Sequence, residues 1–589
     1  MKRSDIAKEY QWDLTTLFKD QKAFEKQYQD ARSLLEKLTA KQGTITKTKD
    51  AFIQFMNDQE TFSRYLDNLS SYANMYADVM PEDQVVQNNR SLTMKLYQDC
   101  LEKLNFVDLE LIANKDVVEI YLADDDCKDF HYPIDEIFRT IPHRLNEREE
   151  MLMAQVNELM VNPSEIYDAL RLEFEPVTIG GEELFLNEAT YTEFLKHPVR
   201  DVRKQAFTHL FQEYKRYDNA FAKMLGGHAY GQVLNAKIRH FDSALEASLF
   251  EDGADRSLFD KVLHMANVKY QQPLHDYFAF RKEYLKLEEQ HTYDILLPLA
   301  ESEQQNYSIE ECYDILHKAL KPLGDEYLEL LNQAKKEHWV DYMTHTGKRS
   351  GAYSGGSYDS NPFVLMNFTG GYDSLSTLAH ELGHSMHSYY SHKNNRPMLA
   401  NYRIFVAEVA STVNEILLNK YLLSTSDDEA YKAYILTNLL EQLVGTLYRQ
   451  PMYAQFELDL HTFIEKGEPV SSGKLTEDFL NISRNYFGSS VIVDDLEKYK
   501  CFYVPHFYYN FYVYKYTLGM SVALSFVKKI LSGDTADYMK FLSKGGSESP
   551  IDELVNSGVD PRDDQVYDDA FTFFKETLEE CKELLLNNQ

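Results

Sequence analysis

The chain has 589 residues, 44% hydrophobic and 13% aromatic, enough for a large core, and a formal net charge of −33 at neutral pH. A field of that sign repels nucleic acid and anionic membrane surfaces, so neither is expected as a partner. The five cysteines are scattered with no C-x-x-C pair, which excludes a thiolate metal site and fits a reducing, cytoplasmic setting. The opening MKRSDIAKEYQWDL reads as lacking a signal peptide, and no stretch stays apolar long enough to span a bilayer.

Residues 16 to 120 read as several long amphipathic helices. Between Glu60 and Val79, for example, Phe62, Tyr65, Leu66, Leu69 and Tyr72 recur at threes and fours, a stripe suited to core packing. The segment EPVTIGGEELFLNE (175 to 188) holds two short strand-like runs about Gly180-Gly181 and predicts a β-hairpin. RSGAYSGGSYDSNPFVLMNFTGGYDS (349 to 374) is glycine-rich and then extended, with a strand over Val364 to Phe368 and Asp373 as N-cap of the next helix. From 401 onward the pattern is helical again, broken at 543 to 550 and 556 to 564. The expectation is a mostly α protein, a large helical body with a small β element beside one key helix. Its chain order gives an N-terminal helical region (1–120), a small mixed region with the hairpin (121–198) and a catalytic region (199–589).

That key helix carries TLAHELGHSMHSYY, residues 377 to 390, with His380 and His384 about Glu381 in the spacing H-E-x-x-H. On a helix the two histidines lie about 40° apart on one stripe, so both imidazoles can reach one zinc ion. Leu375, Leu378, Leu382, Met386 and Tyr389 fall on the other side as a packing face. Glu381 lies about 100° round from His380, placed to meet a water on the metal rather than to bind the ion. A catalytic zinc site needs a third protein ligand and an open position. His387 shares the stripe, but seven residues span about 10.5 Å of helix axis, and three donors on one straight line suit a tetrahedral ion poorly. It reads better as a residue behind the ligands or facing substrate.

The other route to a third ligand is a carboxylate on NYRIFVAEVASTVNEILLNKYLL (401 to 423), an apolar helix carrying Glu408 and Glu415 on one stripe. A glutamate amid Phe405, Val406, Val409 and Ala410 is costly to bury unless paired or bound to a cation. Glu408 as third ligand and Glu415 as its supporting partner is the simplest assignment. A glutamate about 19 residues beyond the second histidine, the alternative zinc-peptidase spacing, would fall on Arg403 or Ile404 and is excluded.

HELGH, a glutamate 24 residues further on in FVAEVAST, and HFYYNFYVYKY downstream together resemble the thimet-type (M3) zinc metallopeptidases, and within them the oligoendopeptidase F group. WDLTTLF (12 to 18), GKRSGAYSGG (347 to 356), FVLMNFTGG (363 to 371) and the segment from Gly545 to Pro561 extend the likeness nearly end to end. The resemblance implies a helical body with a deep substrate channel, one zinc per chain, and endopeptidase action on short peptides. It implies His380, His384 and Glu408 as ligands, with Glu381 as general base to a zinc-activated water. His506, Tyr509, Tyr512 and Tyr516 would stabilise the oxyanion. Tyr508, Tyr509, Tyr512 and Tyr516 are expected on one face of a helix that follows His506, with Tyr514 elsewhere, and the strand near 363 to 368 as an edge for an extended substrate. Two alternatives stand beside this reading. One is a related exopeptidase of dipeptidyl carboxypeptidase type; the other is a non-catalytic helical peptide-binding protein with structural zinc. Oligomeric state is not legible in the sequence.

Overall fold

The computed structural model describes residues 2–300 and 305–587. The chain divides into two compact units, each assembled from three separate stretches. The first gathers Met1–Pro142, Gln304–Tyr421 and Phe526–Val559; the second gathers His143–Glu303, Leu422–Ser525 and Asp560–Gln589. Both are mostly helical, as the periodicity predicts. Six helices matter below: α1 (Lys49–Val79), α2 (Asp218–Ile238), α3 (Tyr372–Asn394), α4 (Ile404–Thr425), α5 (Gln450–Glu465) and α6 (Tyr514–Leu531). All five cysteines are free thiols, and among the described residues no helix is long and apolar enough to cross a membrane.

In the first unit α1 starts where Thr48 accepts the Ala51 N–H at 3.2 Å, an N-cap that satisfies one of the helix's orphan donors. Its apolar stripe goes inward as the spacing predicts: Phe62, Leu69 and Tyr72 are buried, and Tyr65 and Leu66 pack against the same core. That core runs from Trp12 through Phe138 to Phe363 and Leu365. Each fully buried large apolar side chain contributes roughly 1.5–3 kcal/mol relative to exposure. The second unit packs many of the chain's tyrosines. Tyr214 meets Tyr503 edge-on at 5.8 Å and Phe221 stacks on Phe502 at 5.8 Å, geometries that suit the ring quadrupole. Its buried Arg203 is fully engaged, with Asp294 at 2.8 Å and the carbonyls of His197 and Pro198. A buried charge is tolerable only when satisfied in this way.

The strands are short. In the second unit β1 (Val177–Ile179) and β2 (Glu182–Leu184) pair antiparallel about Gly180 and Gly181, both at positive φ, so the hairpin forms where the sequence places it. In the first unit β3 (Val340–Asp341), β4 (Tyr353–Gly355) and β5 (Phe363–Leu365) form a sheet in the order β3-β5-β4. Here the structure corrects the sequence reading. The strand near 363 to 368 is no edge: β5 is parallel to β3 on one side and antiparallel to β4 on the other, and all three of its residues are buried. The edge strand beside the key helix is β4. The N-cap of that helix, α3, is also Gly371 rather than Asp373, which sits in the first turn, where its charge complements the helix dipole.

Candidate metal centre and active site

Helix α3 is buried on nearly every side. Leu375, Leu378, Leu382 and Met386 are inaccessible, as the packing stripe predicts, but so are Ser385 and His387, and Glu381 is 6% exposed. The histidine side packs against α4 and β4 rather than facing solvent. What lets α4 come so close is Gly383, between the two histidines. A Cβ there would lie 2.7 Å from Ser411 Cα and 2.8 Å from the Ala410 carbonyl. The contact is backbone against backbone, and only glycine permits it. Asn414 of α4 donates to the Ala379 carbonyl at 3.0 Å and accepts from the buried Tyr327 hydroxyl at 2.9 Å, which fixes the helix pair in rotation. Sequence reasoning missed Gly383. The available signal was a glycine inside an otherwise strongly helical run, which costs about 1 kcal/mol against alanine and needs a packing reason.

This approach brings His380, His384 and Glu408 together. Their ligand atoms lie within 4.8 Å of one another, and they are the one such group among the described residues. His380 Nε2 is 3.1 Å from His384 Nε2; Glu408 Oε2 lies 3.4 Å from the first and 3.6 Å from the second. Bonds of 2.0–2.1 Å to a tetrahedral ion would set ligand atoms about 3.3 Å apart, so the three atoms fit the donor triangle of one zinc. The Glu408 side chain is 46% exposed, against the expectation that it sits buried among apolar neighbours. That argument belongs to Glu415, at 14%, whose Oε1 lies 3.4 Å from His380 Nδ1 and 3.5 Å from the Ser376 hydroxyl. A histidine with one nitrogen toward the ligand set and the other on a carboxylate is the usual arrangement behind a metal ligand.

The electrostatics favour a cation at this spot. Burial works to deprotonate His380, yet hydrogen bonds to Glu408 and Glu415 outweigh it and raise its pKa to about 10. The hydrogen bond to His380 holds Glu408 down at about 2 against its own desolvation. His384, lowered to about 4 by burial and by the His380 charge, is a neutral imidazole. Burial, with Glu408 and Glu415 nearby, pushes Glu381 up to about 7, opposed by the His380 charge and the Ser354 N–H. Glu381 Oε2 is buried with no hydrogen-bond partner among the described residues. Its environment is completed by β4, where the Ser354 hydroxyl meets that of Ser385 at 2.8 Å. Ser354 also escaped the sequence reading, because its placement depends on the β4–α3 packing.

His387 is corrected more strongly. It is fully buried and makes no hydrogen bond to His380, His384 or Glu408. Its ring stacks on Tyr402 at 3.7 Å with planes 6° apart, Phe541 lies at 4.9 Å, and neither nitrogen has a partner among the described residues. Burial pushes its pKa down to about 3, so it is a neutral packing residue.

The cluster of His380, His384 and Glu408 is built in the first unit; the segment after Pro505 belongs to the second. No helix follows His506 directly. Pro505–Tyr508 is a single 3-10 turn, Asn510 and Phe511 take φ of 51° and 57°, and α6 begins only at Tyr514. Four of the expected rings nonetheless gather: His506 lies 5.4 Å from Tyr509 and 6.2 Å from Tyr516, and Tyr512 lies 6.5 Å from Tyr509 and 5.4 Å from Tyr516. Tyr508 does not join them. The break in the helix turns it inward to stack on Tyr167 at 4.6 Å.

The chain is similar to known proteins along almost its whole length. The sequence profile of peptidase family M3 matches residues 194–573, and that of oligopeptidase F matches 111–173. The chain is 34% identical to oligopeptidase PepF of Bacillus subtilis strain 168 over 593 residues, covering 99% of this chain and 88% of that one. A solved structure from Chlamydophila abortus is similar at a TM-score of 0.92 and 30% identity, covering 99% of each chain. Oligoendopeptidase-F from Enterococcus faecium is similar at a TM-score of 0.71 and 28% identity, covering 96% of this chain and 99% of that one.

Proposed function

The chain belongs to peptidase family M3, and from that premise we propose that it is a zinc metallo-endopeptidase that hydrolyses internal peptide bonds of short oligopeptides. The observation that carries this reading is the donor triangle of His380, His384 and Glu408, with Glu381 between the two histidines on the same helix. Zinc, when bound there, supplies Lewis-acid chemistry, lowering the pKa of water and polarising the scissile carbonyl.

The rest is done by the chain's own groups. Glu381 takes a proton from the attacking water and delivers it to the leaving nitrogen. Glu415 holds His380 in orientation through Nδ1. The Ser354 N–H fixes the Glu381 carboxyl. Strand β4 offers its side away from β5 to an extended peptide, main chain to main chain. The phenol hydroxyls of Tyr509, Tyr512 and Tyr516, with His506, are assigned the stabilisation of the oxyanion. Substrates are short peptides, in keeping with relatives named as oligopeptidases. The free cysteines suit a cytoplasmic setting.

The test is product analysis on a peptide blocked at both termini. Cleavage at an internal bond is expected, abolished by a chelator and restored by one equivalent of zinc. Cleavage only of peptides with a free C-terminus would make the protein an exopeptidase instead.

A further inference from the structure

The loop that carries two of the assigned tyrosines is held in an unfavourable shape from beneath. Between Tyr509 and Tyr512 stand Asn510 and Phe511, both in the left-handed region, at φ 51° and 57°. Asparagine tolerates that conformation; a phenylalanine there is an outlier that persists only when its surroundings impose it. Two contacts impose it. Glu457, a fully buried carboxyl on α5, accepts the Phe511 N–H at 2.6 Å, and the Ser248 hydroxyl donates to the Asn510 carbonyl at 2.8 Å. The Phe511 ring is wholly buried, 4.5 Å from the ring of His461, which is itself bonded through Nδ1 to the Glu457 carbonyl at 2.8 Å.

A carboxyl this deep is costly, and among the described residues nothing cationic pairs with it. Its Oε2, His461 Nε2 and both nitrogens of His228 are buried without partners among the described residues. Burial pushes Glu457 up to about 8, against the pull of the Phe511 N–H. An apolar residue would serve the core better, so the position is explained by what the carboxyl holds.

We infer that Glu457 is a positioning residue for the reaction: it locks the Asn510–Phe511 turn and so sets where Tyr509 and Tyr512 present their hydroxyls. This rests on the proposed role of the tyrosines. A misplacement of order 1 Å at a reacting centre can lower turnover about 100-fold. Glu457→Leu, which keeps the volume and removes the acceptor, is therefore expected to lower kcat by about 10- to 100-fold while KM and bound zinc stay near wild type. Glu457→Gln keeps the acceptor and should stay within about threefold of wild type. Asn510→Gly, which relieves the backbone at one of the two positions, should restore part of the loss in Glu457→Leu. Ser248→Ala gives the same direction more mildly, in case the leucine variant does not fold.

The deciding readout is a double-mutant cycle. In a Tyr509→Phe/Tyr512→Phe background, Glu457→Leu and Ser248→Ala should each change kcat by less than about threefold. If the tyrosine replacements alone leave kcat unchanged, the reading of the tyrosines falls and this inference with it. If they lower kcat but the Glu457 or Ser248 variant still adds its full loss, or is silent on its own, the inference alone is overturned.

Discussion

The Nδ1 of His380 lies 3.4 Å from Oε1 of Glu415, so the imidazole whose Nε2 meets Glu408 is gripped on its far side by a second carboxylate of the same helix, two turns along. This fixes the ring's orientation and raises its basicity as a ligand. Glu415→Ala should weaken zinc binding by about 10- to 100-fold and leave the peptide-bond specificity unchanged. Competition against a chromophoric chelator measures it; unaltered affinity would remove Glu415 from the site.

Glu381 lies between the two histidines on α3, buried but outside the donor triangle. Glu381→Gln preserves shape and removes the proton acceptor. It should bind zinc as wild type does while kcat falls by about 10²- to 10⁴-fold. A variant with normal zinc content and normal turnover would make the carboxyl dispensable and leave the metal without a general base.

Gly383 is the hinge of the helix pair. Gly383→Ala would drive a methyl group into the backbone of Ala410 and Ser411, which cannot yield as a flexible side chain would. Overpacking of this kind costs about 1–3 kcal/mol. Because α4 carries Glu408, the same displacement should weaken zinc binding. Thermal unfolding and metal titration on one preparation check both effects, and a loss of stability with intact zinc affinity would uncouple the helix contact from the site.

The buried Glu457 gives a dependence on pH with a definite sign. Its carboxyl, near 4.5 when unfolded, is raised to about 8 by burial in the folded protein. The folded state therefore binds the extra proton, and stability falls as pH rises from about 5 to about 8. His461, bonded to the Glu457 carbonyl, and His228, which acts on His461, are both lowered to about 4 by burial and stay neutral through that window. Glu457→Gln cannot ionise, so its stability relative to wild type should grow steadily from pH 5 to pH 8 and then level off. A constant difference in melting temperature across that range would show that Glu457 does not titrate there.

The parts of this structure that follow local rules were legible in the sequence, and those set by distant chain segments were not. Period gave the buried stripe of α1, the Gly180-Gly181 turn gave the hairpin, and the H-E-x-x-H spacing with an acidic stripe on 401 to 423 led to the three residues that the fold brings together. The order of the small sheet could not be read, because whether β5 is central depends on Val340–Asp341, more than twenty residues upstream. His387 looked like a residue of the site because its packing partners, Tyr402 and Phe541, come from other elements. The tyrosine segment was read as a helix because no glycine or proline interrupts 506 to 516; the break at Asn510–Phe511 is held by Glu457 and Ser248, which no local pattern announces.

The central claim is that His380, His384 and Glu408 hold one catalytic zinc. The most direct measurement is a crystal structure of the zinc-loaded protein with anomalous data at the zinc edge. One peak per chain is expected, within about 2.0–2.2 Å of His380 Nε2, His384 Nε2 and a Glu408 oxygen. A peak bound to His387, or one with Glu408 beyond bonding distance, would contradict it.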